Sequence, residues 1–335
     1  MEETTTIIPI ASGKGGVGKT LLAANLCIAL ARLGHSTVAV DLDLGGSNLY
    51  TCLGVPNQYP GVGDYLNRKG GDLRDFLVPT SIENLRFLPG EGRTPFLANI
   101  GHEDRQDLAR GIRSLKARYV VLDLGAGTGF STLNFFGIAP RGLLVTTFET
   151  PAIMNLVMFL RNFMFRVVSG VAQRDAEALA VVQRAFSRSI RDQNLTVEQL
   201  VGQVEAVRPA LAGLIRRTCS RYRPRIVFNM GDHPDELEVR WKISAILLQG
   251  LSLKADFFGH VFHDDAVRRS ARNREVLITR YPSSPASLSI QAIARRIVDL
   301  WDHPDPGSVF DLCAATRAEC SRWMQPPAAV RRAAG

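Results

Sequence analysis

The stretch that decides the fold reads Gly13-Lys14-Gly15-Gly16-Val17-Gly18-Lys19-Thr20. An apolar, β-branched run at residues 6–11 precedes it, and an apolar segment of helical period at 21–33 follows it. A glycine-rich turn between a strand and a helix aims backbone N–H groups and the positive end of the helix dipole at an anion. The stretch satisfies GxxxxGK[ST], and it therefore predicts a phosphate-binding loop.

Two side chains of this loop indicate which phosphate compound binds. We expect Lys19 to reach the β- and γ-phosphates and the Thr20 hydroxyl to ligate Mg²⁺. The glycines also satisfy GxGxxG, and Asp41 stands about where a dinucleotide fold holds ribose. A pyrophosphate needs only the backbone and the helix dipole, whereas two lysines and a hydroxyl suit a triphosphate with metal. The pattern therefore favours a nucleotide triphosphatase over a dinucleotide-binding protein.

Short β-branched runs alternate with segments of helical period along the chain, which predicts an α/β fold with a mostly parallel, twisted sheet and helices on both faces. The further strands are predicted at residues 36–41, 84–88, 119–124, 142–148, 225–229 and 257–262.

The connection between the strands at 142–148 and 225–229 is unusually long. It spans about 75 residues, where a crossover needs about a dozen. Its periodicity predicts helices at 151–169, 175–190 and 196–222. We therefore expect an all-helical insertion, at about 169–222, on one face of the sheet and not a separate domain.

Composition places the chain among ordinary globular proteins. The 335 residues are 46% hydrophobic and 21% charged, which excludes disordered and disulfide-scaffold classes. We expect one nucleotide-binding domain over residues 1–302 and, at 303–335, a linker, a short helix and a frayed tail. The five cysteines form no CxxC pair, which favours a reducing compartment. There is no signal-peptide pattern, and charges interrupt the apolar segment at 151–168, so a cytoplasmic protein is expected.

The positive charge is uneven. Residues 1–150 hold 14 basic and 14 acidic groups, whereas residues 151–335 hold 26 and 18, so the whole excess of +8 lies in the second part. Arginines are dense at residues 216–225 and 268–274. Either stretch would suit the phosphates of non-specific DNA or an anionic membrane surface. A solvated or ion-paired face is the alternative that charge runs favour.

Lys14 adds a further feature to the phosphate loop. KGGxxGKT resembles the deviant Walker A motif of the MinD/ParA family of ATPases, which are related to the nitrogenase iron protein. The resemblance implies an ATP-dependent homodimer. In it, Lys14 would act in trans on the nucleotide held by the partner subunit, much as an arginine finger does.

The segment at residues 41–48, DLDLGGSN, resembles the first switch of that family. The resemblance implies that Asp43 activates the attacking water and that Asn48 helps to place it. Carboxylates at positions i and i+2 leaving a strand point the same way, so Asp41 would face the hydration shell of Mg²⁺ beside Asp43.

Two further segments extend the resemblance. Residues 120–127, VVLDLGAG, resemble the family's Walker B motif and second switch, which implies that Asp123 holds Mg²⁺ through water and that the Gly125 N–H senses the γ-phosphate. Residues 226–230, IVFNM, resemble the strand whose asparagine, here Asn229, binds the adenine edge.

Residues 84–90, 146–151 and 259–282 resemble the MinD branch, and within it the FlhG/FleN (YlxH) subgroup, which regulates flagellar number and placement. The resemblance implies a Mg-dependent ATPase that turns over slowly without an activating protein partner and acts as a dimerisation switch to position a cellular assembly. Three alternatives stay open: a ParA-like partition ATPase on non-specific DNA, a metal-cluster carrier, for which paired cysteines are missing, and a non-hydrolysing regulator.

A membrane-targeting helix often ends members of this branch, and residues 308–324 are the candidate here. The charge of this segment balances to zero, whereas an interfacial helix normally has a basic polar face. Packing on the protein body is therefore the favoured alternative.

Overall fold

The computed structural model describes residues 4–68, 71–90, 100–187 and 196–324. Its centre is an eight-stranded sheet in the order β3-β4-β2-β5-β1-β6-β7-β8. The strands are β1 (Thr6–Ala11), β2 (Thr37–Leu42), β3 (Val78–Pro79), β4 (Leu85–Leu88), β5 (Tyr119–Leu124), β6 (Leu143–Thr146), β7 (Arg225–Gly231) and β8 (Asp256–Phe262). All neighbouring pairs are parallel except β3 and β4. The sequence did not predict β3, a two-residue antiparallel edge.

The helices cover both faces of this sheet. They are α1 (Lys19–Arg32), α2 (Leu49–Leu53), α3 (Val62–Asn67), α4 (His102–Ser114), α5 (Phe130–Phe136), α6 (Thr150–Ala172), α7 (Ala176–Ser187), α8 (Val197–Glu205), α9 (Pro209–Ser220), α10 (Val239–Leu251), α11 (Asp265–Asn273), α12 (Leu277–Arg280), α13 (Pro285–Leu300) and α14 (Leu312–Met324).

Two hydrophobic cores lie on opposite sides of the sheet. One packs α1 and α13 against it, and the other packs α4, α5 and α6. Every residue of β2 and of β5 is buried, as expected for central parallel strands covered on both faces. The predicted fold class is therefore confirmed.

The long connection is helical, but the predicted helix at 196–222 is wrong. It is two helices, α8 and α9, which break before Pro209. Proline disfavours helical geometry in the residue before it and is well placed in the first turn of the next helix. Residues 188–190 of the helix predicted at 175–190 lie outside the described residues. Leu200 and Ile215 belong to the same core as Phe159 of α6, so this helical region packs continuously with the domain.

α6 is the one helix in the described ranges that is long and apolar enough to cross a membrane. A core helix meets the same criterion, and α6 buries Leu156, Phe159, Phe163 and Val168 almost completely. Its apolar length is therefore accounted for by the core of the protein.

The C-terminal helix α14 packs on the domain. Leu312, Cys313 and Thr316 are buried. Glu319 forms an ion pair with Arg296 of α13, with 2.6 Å between Oε1 and Nη2. The favoured alternative for the segment 308–324, packing on the protein body, agrees with this arrangement.

Candidate functional site

The phosphate loop follows β1 directly, and α1 begins at Lys19. Gly18 adopts a φ of +81°, in the left-handed region that favours glycine. A Cβ atom there would lie 2.3 Å from Asn229 Nδ2, so a side chain at position 18 is excluded by space as well as by conformation. The loop can therefore close tightly over β7.

Two further contacts hold the loop in place, and sequence reasoning found neither. A Cβ atom on Gly13 would lie 2.2 Å from Asn155 O, because α6 packs its backbone against the loop. Gly127 N donates a hydrogen bond to Ser12 O at 2.9 Å, which joins the predicted second switch to the loop. Neither contact leaves a local sequence signal, because each joins segments more than a hundred residues apart.

Lys19 and Asp123 form a buried ion pair beneath the loop. Lys19 Nζ lies 2.6 Å from Asp123 Oδ1 and 3.3 Å from Thr20 Oγ1. Asp123 is fully buried, and its Oδ2 has no hydrogen-bond partner in the part of the chain that is described. Burial raises the pKa of Asp123, and Lys19 opposes that rise. The structure thus brings together Lys19, Thr20 and Asp123 as predicted.

A second buried carboxylate lies beside this pair. Asp41 on β2 is in register with Asp123 on β5 and is fully buried. Burial and the charge of Asp123 raise the pKa of Asp41 to about 7. Ser47 Oγ donates to Asp41 Oδ2 at 2.6 Å, and Leu49 N donates to the same oxygen at 3.1 Å. Two buried carboxylates against one lysine leave negative charge uncompensated.

The orphaned oxygen of Asp123 and this excess of negative charge fit a divalent cation. Mg²⁺ binds protein through one or two carboxylates, and takes its remaining ligands from water and substrate phosphates. Ser47, which donates to Asp41, belongs to this cluster and was not singled out from the sequence. A hydroxyl six residues after Asp41, inside the predicted switch, is the signal that was available.

Asp43 connects the two predicted switches. It lies just past β2 and is half-buried. Its Oδ1 lies 3.2 Å from the place where a Cβ atom on Gly125 would stand. The structure therefore places Asp43 and Gly125 next to each other.

Lys14 and Asn48 are both exposed. A hydrogen bond from Thr147 lowers the pKa of Glu149, and the nearby positive charge of Lys14 lowers it further. The Asn48 side chain makes no hydrogen bond to the buried carboxylates within the described ranges. Its role in placing water stays a prediction.

Asn229 stands near the carboxyl end of β7 and is buried. Its Nδ2 donates to Val17 O at 2.8 Å, so the amide holds the phosphate loop from below. Contact with adenine stays a prediction for this residue.

The two arginine-rich stretches differ. In the first, Arg216 pairs with Glu198 and Glu205, and Arg223 pairs with Asp256 and Asp305. Arg225 is fully buried. The ion-paired alternative is therefore correct for these residues. In α11 and its C-terminus the exposed arginines have no ion pair with the described residues: Arg268, Arg269, Arg272 and Arg274.

Comparison with known proteins agrees with this geometry. The profile of the CobQ/CobB/MinD/ParA nucleotide binding domain matches residues 8–295. The antiactivator FleN of Pseudomonas aeruginosa is 25% identical over 301 residues, 89% of this chain and 88% of FleN. The septum site-determining protein MinD of Thermotoga maritima is 34% identical over 166 residues, 48% of this chain and 59% of that protein. Matches to MinD proteins thus span about half to three-fifths of their length.

The solved structures support the fold. MinD of Pyrococcus horikoshii, in complex with Mg-ADP, superposes with a TM-score of 0.59 at 19% identity, over 89% of this chain and 98% of that chain. At this identity the likeness concerns the fold alone.

Proposed function

Since the chain belongs to the CobQ/CobB/MinD/ParA nucleotide-binding family, we propose that it is a Mg-dependent ATPase that works as an ATP-driven dimerisation switch. Its output would be to position or regulate a cellular assembly of the flagellar or division-site type. FleN, the flagellum site-determining protein YlxH of Helicobacter pylori and MinD are among its relatives, which supports this choice of process.

The observation that carries the proposal is the buried cluster of Lys19, Asp41 and Asp123 under the phosphate loop. In it, Lys19 would release Asp123 and move to the β- and γ-phosphates, while Thr20, Asp41 and Asp123 would hold Mg²⁺ directly or through water. The metal, when bound, neutralises charge on the phosphates. The Gly13–Thr20 backbone would hold the remaining phosphate oxygens.

Asp43 and Lys14 complete the proposed chemistry. Asp43 lies beside Gly125 and is half-buried, so water can reach its carboxylate. In the proposed reaction it would orient the attacking water. Lys14 is exposed, as a residue that serves a second subunit must be. In the dimer it would stabilise the charge that develops on the partner's nucleotide. Turnover would be slow until a partner protein completes the site.

The test separates the two lysines of the loop. Lys14→Ala is expected to keep nucleotide binding but to lose both the ATP-dependent dimer and hydrolysis, whereas Lys19→Ala loses nucleotide binding itself. Light scattering after size exclusion, with ATP and Mg²⁺, measures the dimer, and phosphate release measures turnover. Lys116→Ala changes an exposed lysine far from the loop and serves as the control. A Lys14→Ala protein that dimerises like the wild type would refute the role in trans.

The surroundings of the switch follow from the same proposal. We expect a cytoplasmic protein with an activating protein partner, which attaches to the inner membrane or the nucleoid in its ATP state.

A ParA-like ATPase on non-specific DNA is the second candidate function, and the unpaired arginines of α11 favour it. Phosphate contacts would make such binding weaken steeply with salt. ATP-dependent DNA binding that is lost in Arg268→Glu/Arg272→Glu, but kept in Arg217→Glu/Arg221→Glu, would support this function. Absence of DNA binding at low salt would exclude it.

A further inference from the structure

α10 differs from the other surface helices because both of its faces are apolar. Ile243, Leu247 and Leu251 form its buried face. On the outer side, Trp241 is 67% exposed, Leu248 53% and Ile246 47%. A helix on the surface of a globular protein normally turns charged and polar residues outward. Here the outward stripe of Trp241, Ala245 and Leu248 follows the i, i+4, i+7 spacing and continues the apolar surface into solvent.

The charged residues that belong to the helix and the turn after it are all basic. From Val239 to Lys254 the sequence has three cations, Arg240, Lys242 and Lys254, and no acidic residue. Lys242 and Lys254 are exposed and take part in no ion pair within the described residues. The Arg240 guanidinium lies 4.5 Å from the centroid of the Trp241 ring.

Carboxylates lie around the first turn of the helix, where Asp305 and Asp311 line the same cleft as Trp241. Asp305 is paired with Arg223, and Asp311 accepts a hydrogen bond from Cys313 N. Glu238 is exposed at its N-cap, and Asp235 is already paired with Arg317 of α14 at 2.9 Å. The exposed face of α10 is therefore apolar at its centre, and beside it Lys242 and Lys254 are cations without an ion pair among the described residues.

α14 has the opposite properties. It buries Leu312, Cys313 and Thr316 against the domain, and its acidic and basic residues, Glu319 against Arg317 and Arg322, come close to balance. Among the side chains described in these two helices, those of α10 combine exposed aromatic and aliphatic groups with unpaired cations.

We propose that the outer face of α10 docks this protein onto an anionic lipid surface. Tryptophan is favoured at the level of the lipid headgroups, and the aliphatic side chains would enter the acyl boundary beside it. Lys242 and Lys254 would lie against the negative headgroups. Since the buried face already holds α10 helical, docking requires no folding of the segment. This inference does not depend on ATP hydrolysis.

The test is cosedimentation of the full chain with vesicles of phosphatidylcholine, with and without phosphatidylglycerol. Binding is expected only when phosphatidylglycerol is present. Trp241→Ser and Leu248→Ser are each expected to weaken it on the order of tenfold, and Lys242→Gln about fivefold. Leu33→Ser and Lys116→Gln change an exposed apolar and an exposed basic residue elsewhere on the surface and should leave binding unchanged.

A second readout follows Trp241 in a Trp323→Phe background, in which Trp241 and Trp301 are the two remaining tryptophans. The fluorescence of Trp241 should shift to the blue on vesicles, whereas Trp301 is buried in the domain and should not respond. The shift should disappear in Trp241→Phe, which retains vesicle binding.

Four results would overturn the proposal. The first is no binding to anionic vesicles, and the second is equal binding to neutral vesicles. The third is binding that is kept in both serine variants but lost in Arg322→Glu of α14. The fourth is a change of oligomeric state in Trp241→Ser without any lipid binding, which would make this face a contact between copies of the chain.

Discussion

Charged groups are buried at both ends of the sheet, but the two clusters differ in their balance of charge. At the carboxyl end, Asp41 and Asp123 stand side by side on β2 and β5 and share Lys19. At the amino end, Arg225 and Asp256 begin β7 and β8 side by side, and Arg223 joins them. The first cluster has one more negative than positive group, whereas the second is balanced, because Arg223 also pairs with Asp305.

The difference lies in how each cluster is completed. Arg225 Nη2 donates to Trp301 O at 2.9 Å, and the guanidinium carbon lies 4.5 Å and 4.4 Å from the ring centroids of Phe258 and Trp301. Arg225 Nε also lies 3.6 Å from Asp256 Oδ2, although Nε, Nη1 and that Oδ2 make no hydrogen bond to a described residue. At the carboxyl end, Asp123 Oδ2 has no hydrogen-bond partner in the part of the chain described. Each cation of the amino-end cluster therefore has a carboxylate of the chain as its ion-pair partner, whereas the carboxyl-end cluster sets two carboxylates against one lysine.

The largest effect on the free energy of unfolding should come from removing a cation of the amino-end cluster. Arg225→Met leaves Asp256 buried with Arg223 as its remaining ion-pair partner, and removal of one member of a buried ion pair costs about 3–5 kcal/mol. Urea unfolding should show this loss, while the folded fraction still binds nucleotide. Arg221→Met, at a neighbouring exposed position, is the control. An unchanged urea midpoint in Arg225→Met would mean that the amino-end cluster does not hold the fold.

The second effect is the pH dependence of stability that arises from Asp41 in the carboxyl-end cluster. Because the pKa of Asp41 is raised from 3.8 to about 7, its ionisation destabilises the folded protein, and the stability that protonation provides is lost as pH rises from about 4 through 7. One pKa unit is worth about 1.4 kcal/mol, so the loss is at most about 4 kcal/mol. Asp41→Asn removes this dependence.

The measurement is the difference between the unfolding free energies of Asp41→Asn and wild type at several pH values. It should shift in favour of the variant as pH rises from 4 to 8, without nucleotide or Mg²⁺. His260 is buried, which lowers its pKa to about 4, and its opposite pH dependence is common to both proteins and cancels. A difference that stays constant with pH would show that burial does not raise the pKa of Asp41 in the folded protein.

The contrast between the clusters also shows what sequence can predict. β1 and β5 occur at the predicted bounds because each is a run of apolar residues buried on both faces, a purely local pattern. Lys19 and Thr20 were predicted from the GxxxxGK[ST] motif, and Asp41 and Asp123 from segments that resemble the family's first switch and Walker B motif. Parallel strands bring these residues to one edge of the sheet.

The amino-end cluster could not be found in this way. In sequence, Arg225 belongs to a basic stretch that resembled a polyanion-binding surface. Its partners Asp256 and Trp301 lie 31 and 76 residues further along the chain, and only the folded sheet joins them. The outer face of α10 was missed for a related reason. Its apolar residues occur all around the helix, so no period distinguishes the exposed side from the buried one.

The smallest predicted effect on stability comes from the single hydrogen bond between Ser47 and Asp41. Ser47 donates to Asp41 from a half-buried position on the first switch, whereas Arg225 is held by backbone carbonyls of the fold. Ser47→Ala should therefore cost only about 1–2 kcal/mol of stability at pH 8, where Asp41 is ionised. Because the hydroxyl stabilises the carboxylate, its loss should raise the pKa of Asp41 further and weaken Mg²⁺-dependent nucleotide binding near pH 7. Calorimetric titration with Mg-ATP at pH 7 and 8 measures this, with Ser220→Ala on α9 as the control. Equal loss of affinity at both pH values would show that Ser47 acts on the ligand directly and not through Asp41.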